Sequence, residues 1–191
     1  MNYKLSSENE VEELKKLIKY KLETKRLSLV PLEPRLLQLA IEDYGKMQRD
    51  LGLRVTNIFL DEELEYAMKV RLRKVLEDVE NFLWTTNWAI INKDLNEIIG
   101  FIMIKGYPNE AGEVIIGYGI DEKYRKNGYA TEAVERLIKW IFENQKVKYI
   151  IADTEKNNIP SHKVLEKAGA NKYKETDELL WWKIERKSTI I

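Results

Sequence analysis

The stretch DEKYRKNGYATEAVERLIKWIF, residues 121–142, decides the fold. It opens as a charged turn containing Gly128 and runs into a helical pattern. Ala130, Ala133, Val134, Leu137, Ile138 and Ile141 recur at i, i+3, i+4, i+7, i+8 and i+11, which makes one apolar stripe. A helix start exposes backbone N–H groups that lack intrahelical partners, and the helix dipole adds partial positive charge there. Gly128 puts no side chain in the way, while Lys123, Arg125 and Lys126 add local positive charge. The corner therefore reads as a phosphate site. Several charge-assisted hydrogen bonds, each worth roughly 1.5–3 kcal/mol, would anchor a pyrophosphate. The alternative is a solvated loop with a helix cap at Asn127. The turn is not a Walker P-loop, because no Gly-Lys-Ser/Thr follows, and it lacks the G-x-G-x-x-G dinucleotide triplet.

Outward from this corner the chain reads as mixed α/β. Before it, GEVIIGYGID (112–121) is almost wholly apolar and predicts a central strand. Its Gly117 and Gly119 mark a bulge or a close approach to the backbone. NWAIINKDLNEIIGFIMIKG (87–106) reads as a hairpin around a polar turn at 93–97. KRLSLVPL (25–32) predicts a first strand, and PRLLQLAIEDY (34–44) a helix opened by Pro34. A longer helix is expected from Asp61 to about Glu80, with Asp61 as cap and Glu62 and Glu63 in its first turn. After the corner come a strand at 147–153, a helix at 158–169 and a final hairpin at 171–186. Residues 8–20 predict a helical N-terminal extension. The domain expectation is thus an extension over 1–21 and a single domain over 22–191.

Composition narrows the chemistry. In 191 residues, 32 basic side chains balance 32 acidic ones, so no global charge pulls the chain onto nucleic acid or a membrane surface. The absence of cysteine excludes disulfides, thiolate metal sites and a cysteine nucleophile. One histidine, His162, excludes a multi-histidine metal centre, and it is expected to be exposed or capping. No run approaches the roughly 18 apolar residues of a membrane span, and 1–20 lacks an apolar signal core, so a cytoplasmic location is expected. Trp181 and Trp182 face opposite sides of a strand, so one should be core. Trp84 and Trp88 read as packing residues.

R-K-N-G-Y-A at 125–130 resembles the R/Q-x-x-G-x-G/A signature of the GNAT superfamily of N-acetyltransferases. NIPSHKVLEKAGA (158–170) is similar to the N-x-x-S…E-K-x-G-F segment of its ribosomal-protein N-terminal acetyltransferase-like branch, with Ala170 in the place of the usual phenylalanine. ETKRLSLVPL (23–32) is similar to that branch's first strand, and WAIINKDLNEIIG (88–100) to its second hairpin. The resemblance implies a GNAT fold: a mixed, mostly antiparallel sheet with helices on both faces.

It also implies a cosubstrate, acetyl-CoA, and site residues for it. The amides of Arg125, Lys126, Asn127, Gly128, Tyr129 and Ala130 would hold the pyrophosphate of coenzyme A. Tyr118, Gly119 and Ile120 would pair with pantetheine where their strand splays from its neighbour. Asn158 would cap its helix and contact the pantetheine arm, and Ser161 would lie near the thiol end. The implied catalytic set is less complete. The tyrosine position four residues before Gly169 is Leu165, which leaves Ser161 as the substitute acid. The glutamate position two residues before Gly117 is Ile115, which leaves Glu113, on the same strand face, to act as base through a water. A backbone N–H near Tyr118 would polarise the thioester carbonyl. No metal is implied.

The expected activity is direct transfer of an acetyl group to a primary amine, either a protein N-terminus or a small molecule. The alternative is a non-catalytic acyl-CoA-binding sensor. Coenzyme A and an amine acceptor are the expected partners, with no nucleic acid or membrane. A homodimer through the C-terminal hairpin edge is a further expectation.

Overall fold

The polar turn between two apolar runs folds as expected into a hairpin of β3 (Asn87–Asn92) and β4 (Glu97–Ile104). Asn96 takes the left-handed conformation (φ 55°) that this turn requires. The computed structural model, which describes residues 20–56 and 62–186, builds an eight-stranded sheet around this hairpin. Its other strands are β1 (Leu22–Glu23), β2 (Leu27–Pro31), β5 (Glu113–Ile120), β6 (Tyr149–Glu155), β7 (Asn171–Glu175) and β8 (Leu179–Glu185). The spatial order is β1-β2-β3-β4-β5-β6-β8-β7. Every neighbouring pair is antiparallel except β5 with β6, which is parallel. The parallel step needs a crossover, and the amphipathic helix of the opening stretch supplies it.

Alternation sorts the side chains onto two faces, each covered by helices. On one face, Val114 and Ile116 pack with Ala133, Val134 and Leu137 of α4 (Tyr129–Ile141) and Leu165 of α5 (Ile159–Lys167). On the other, Ala89, Ile91, Ile98 and Phe101 pack with Leu36, Leu37 and Ala40 of α1 (Pro34–Glu42) and Met47 of α2 (Tyr44–Asp50). Met68 and Val75 of α3 (Glu62–Glu77) complete this second layer. Trp84 and Trp88 are buried, as is Trp182, while Trp181 is half-buried on the opposite face.

The structure departs from the sequence reading at several points. The helix read over 34–44 stops at Glu42, because Asp43 turns outward and its carboxylate accepts from the Lys46 amide (2.8 Å), starting α2. The long helix ends at Glu77 and gives way to a 3-10 turn at Val79–Trp84. His162 is buried, not exposed: its Nε2 lies 3.0 Å from the Glu155 carbonyl and its ring 5.3 Å from that of Trp182. Asp61, the Glu63 side chain and the helix expected at 8–20 lie outside the described residues, apart from Tyr20. The Tyr20 ring meets Phe82 edge-on at 6.0 Å.

Candidate active site

The corner after β5 is fastened at its foot. A 3-10 turn, Glu122–Tyr124, follows Asp121, whose carboxylate accepts from the Lys123 amide. Tyr124 is buried and donates to Glu97 of β4 (2.6 Å). Burial first, and the Glu97 carboxylate second, push this phenol up to about 12. Arg125 folds back to donate from Nε to the Ile120 carbonyl (2.9 Å). The Asn127 amide donates to the Tyr124 and Arg125 carbonyls (3.1 and 3.0 Å), so it does not cap the helix. The N-cap is Gly128, at φ 78°, with no side-chain capping bond. Lys126, at φ 65°, is a second left-handed residue in the loop. The first helix amide with an intrahelical partner is Glu132, bonded to the Gly128 carbonyl. The amides of Tyr129, Ala130 and Thr131 thus find no acceptor among the described residues, and they point along the axis beside Lys126.

The sheet opens next to this corner. β5 pairs with β6 only over Glu113–Tyr149, Val114–Ile150 and Ile115–Ile151, and beyond Ile115 the two strands part. β5 stays in register with β4 as far as Ile120, without a bulge; the irregularity nearby lies between β3 and β4, at Ile90/Ile91. The Lys105 amide donates to the Ile115 carbonyl and the Asp121 amide to the Ile99 carbonyl. Odd-numbered residues of β5 therefore turn their backbone groups toward β4, and even-numbered ones toward β6. The N–H and C=O of Tyr118 and the N–H of Ile120 face the opening as an interior edge. Gly119 turns its own groups to β4, and a side chain there would meet nothing within 4 Å, so it leaves clearance. Gly100 serves the sheet differently: a Cβ there would lie 2.2 Å from the Gly119 carbonyl, so only glycine lets β4 and β5 close.

Across the opening stands the start of α5. Asn158 caps it, its Oδ1 accepting from the Ser161 amide (3.2 Å). The Tyr118 phenol crosses from β5 and donates to the Ser161 carbonyl (3.2 Å). Burial pushes this phenol up to about 12, outweighing a lowering effect of the Ser161 side chain, so it stays protonated as a donor. Tyr118, Asn158 and Ser161 are thus brought together at the opening. Glu113 stands apart, in the closed part of the β5–β6 pair, where its carboxylate accepts from the Asn109 side chain (3.1 Å). Four strand residues, roughly 13 Å, separate it from Gly117.

Three groups at this site had no local signal in the sequence. Arg26, in the β1–β2 turn, donates from Nε to Glu132 Oε2 (2.7 Å) and from Nη1 to the Asn127 carbonyl (2.9 Å). Its guanidinium also lies 4.6 Å from the Tyr129 ring centroid. Glu132, in the first turn of α4, also accepts from the Thr24 hydroxyl (2.6 Å) and the Arg26 amide (2.9 Å). Burial raises the Glu132 pKa, but these bonds outweigh it and hold the carboxyl below its ordinary value. The third group is an ion pair on the opposite face of the sheet, Lys105 Nζ with Asp153 Oδ1 at 3.2 Å. The lysine stem passes over Gly117, where an added Cβ would sit 3.6 Å from Lys105 Cε.

The acetyltransferase (GNAT) domain model matches residues 49–171. Over 148 residues the chain is 31% identical to a Bacillus subtilis protein named Uncharacterized N-acetyltransferase YjdG, covering 78% of this chain and 88% of that one. Among solved structures it is similar to the ribosomal-protein-S5-alanine acetyltransferase of Vibrio fischeri, with a TM-score of 0.65 at 18% identity over 88% of this chain and 97% of that one. It is also similar to RimL, a ribosomal L7/L12 alpha-N-protein acetyltransferase solved with coenzyme A. That TM-score is 0.60 at 12% identity, covering 86% of this chain and 97% of that one. At these identities the structural likeness speaks for the fold.

Proposed function

Because this chain belongs to the GNAT acetyltransferase family, whose members use acetyl-CoA as cosubstrate, we propose that it acetylates a primary amine by direct transfer within a ternary complex. The acceptor is a protein N-terminus or a small-molecule amine. One observation carries the reading: an opening in the sheet, edged by unpaired backbone groups, leads to a helix start with three unspent amides.

The residues fit the cosubstrate along its length. Arg125, Lys126, Asn127, Gly128, Tyr129 and Ala130 wrap the pyrophosphate, with the helix amides as donors. Tyr118 and Ile120 pair with the pantetheine arm as a neighbouring strand would, and Gly119 leaves room beside them. The free Nδ2 of Asn158 is placed to donate to the same arm. Tyr118 and Ser161 stand at the thiol end.

The chain contains no cysteine, so no thioester acyl-enzyme forms and the amine attacks the cosubstrate directly. The amine nitrogen bonds to the thioester carbonyl carbon, the C–S bond breaks, and the departing sulfur takes a proton. The Tyr118 phenol, kept protonated by burial, is the donor best placed for that proton. For the proton leaving the amine, the geometry favours Asp153 over Glu113. Asp153 faces the opening on the α3 side, while Glu113 lies in the closed part of the strand pair.

The test is release of free thiol from acetyl-CoA against a panel of amines, for wild type and Tyr118→Phe. Amine-dependent release by wild type, slowed in the variant with coenzyme A affinity retained, is the expected result. Failure of every amine to release thiol from a protein that binds acetyl-CoA would overturn the catalytic reading.

A further inference from the structure

The α3 face of the opening carries buried polar groups that the cosubstrate does not use. Registered pairs Asn87–Met103, Met103–Gly117 and Asp153–Trp181 lie on this face. Extending the Ile115–Ile151 pairing by two residues sets Gly117 opposite Asp153. The five residues follow one line across β3, β4, β5, β6 and β8, interrupted by the opening between Gly117 and Asp153. At its β3 end, Asn87 is fully buried, and neither its side-chain nitrogen nor its oxygen has a partner. At its β8 end, the Trp181 Nε1 is buried without an acceptor.

Arg71 is directed at the same face. It lies on the inward stripe of α3 between Met68 and Val75, which pack with Ala89 and Phe101. Ala89 shares its strand face with Asn87 by alternation. Arg71 is 8% exposed, its Nε and Nη1 have no acceptor, and no carboxylate among the described residues pairs with it. A buried cation without a counter-ion is costly, and burial pushes its pKa down. Buried polar groups are otherwise almost always satisfied. Unspent donors here, with a carboxylate at Asp153, match a ligand that carries an anion and an ammonium together.

We infer that the acceptor is an amine that also bears a carboxylate, with Arg71 and Asn87 receiving the carboxylate and Asp153 the ammonium. This rests on the acetyltransferase reading and gives it a substrate class. The Asp153 Oδ1 is held by Lys105, which leaves Oδ2 for the acceptor. Three strand spacings, roughly 14 Å, separate Asn87 from Asp153, so the two charges must stand apart, as in an ω-amino acid or a peptide with an acidic side chain.

The experiment is calorimetric titration of the full chain, with and without coenzyme A. One arm uses ω-amino acids (β-alanine, aminobutyrate, aminohexanoate), each against the alkylamine with methyl in place of carboxylate. The other arm uses the peptide amide Ala-Asp-Ala against Ala-Asn-Ala. The expected result is tighter binding of the carboxylated member in one arm, roughly tenfold or more, the size of a charge-assisted bond. That arm identifies the source. Arg71→Met should erase the preference. Replacing a buried charge that has no partner among the described residues by an apolar chain of similar length is often neutral or stabilising, so the variant should fold, and its binding of coenzyme A reports that it has. No preference in either arm, or a preference that survives Arg71→Met, overturns the inference. Loss of coenzyme A binding by wild type would instead sink the parent reading, and the titrations without it keep the two failures apart.

Discussion

Substitution of Gly128 separates the backbone role of this residue from its part in binding. At Gly128 an added Cβ would meet only Arg26 Nη2, at 3.6 Å, which is ordinary contact. Gly128→Ala therefore suffers no clash. Its cost is the left-handed backbone at φ 78°, about 1–2 kcal/mol for a residue with a Cβ. For a chain of this size that lowers the thermal midpoint by roughly 2–8 °C. Gly128→Val adds a branched side chain in front of the Tyr129, Ala130 and Thr131 amides. Loss of a single charge-assisted bond there, roughly 1.5–3 kcal/mol, weakens coenzyme A binding by about 10- to 150-fold. Calorimetric titration with coenzyme A, alongside urea unfolding of each variant, measures both quantities. A folded Gly128→Val protein that binds coenzyme A like wild type would refute the phosphate assignment and leave the corner as a loop and a helix start.

Three further outcomes are expected. Ser161→Ala should slow turnover more than it weakens coenzyme A binding; unchanged steady-state rates would make Ser161 a structural residue only. Glu132→Gln should lose stability at neutral pH and flatten the acid response. With the folded pKa held below the ordinary 4.5, the Glu132 contribution is complete above that pH and is lost as pH falls through the folded value. Thermal midpoints measured from pH 3 to 7 check this, and an unaltered acid limb in the variant would count against it. Gly100→Ala should cost about 3 kcal/mol or more, because its Cβ would meet the Gly119 carbonyl at 2.2 Å and backbone cannot step aside. An unchanged urea midpoint would show that the β4–β5 approach is looser than described.

The parts of this protein legible in its sequence are those written in local pattern. The 121–142 stripe became α4 because its apolar residues repeat at helical spacing and pack on one face. The β3–β4 hairpin was legible because a polar turn interrupts two apolar runs. Asp43 was a visible capping residue, but it sits inside a continuous helical pattern, and the preceding pattern outweighed it. The burial of His162 has no local signal, because it depends on Trp182, twenty positions away on a different element. The site divides along the same line. The turn and helix start at 121–130 are contiguous and legible, whereas Arg26 meets Glu132 across 106 positions and Lys105 meets Asp153 across 48. A carboxylate closing the apolar run of β6 was the one hint of Asp153, and it pointed to no partner. Alternation puts Glu113 on the face of Ile115 but leaves its distance along the strand unread.

The three registered pairs between β5 and β6 have a mechanical consequence. Among the described residues they are the only ladder that joins a five-stranded half-sheet to a three-stranded one. The sheet is thus bound like a book at a short spine, with its pages free beyond Ile115. A cosubstrate pairing with Tyr118 and Ile120, as proposed above, would act as a temporary stitch, lengthening the seam on binding and unpicking it on release. Cohesion of the two halves would then rise and fall with cosubstrate occupancy.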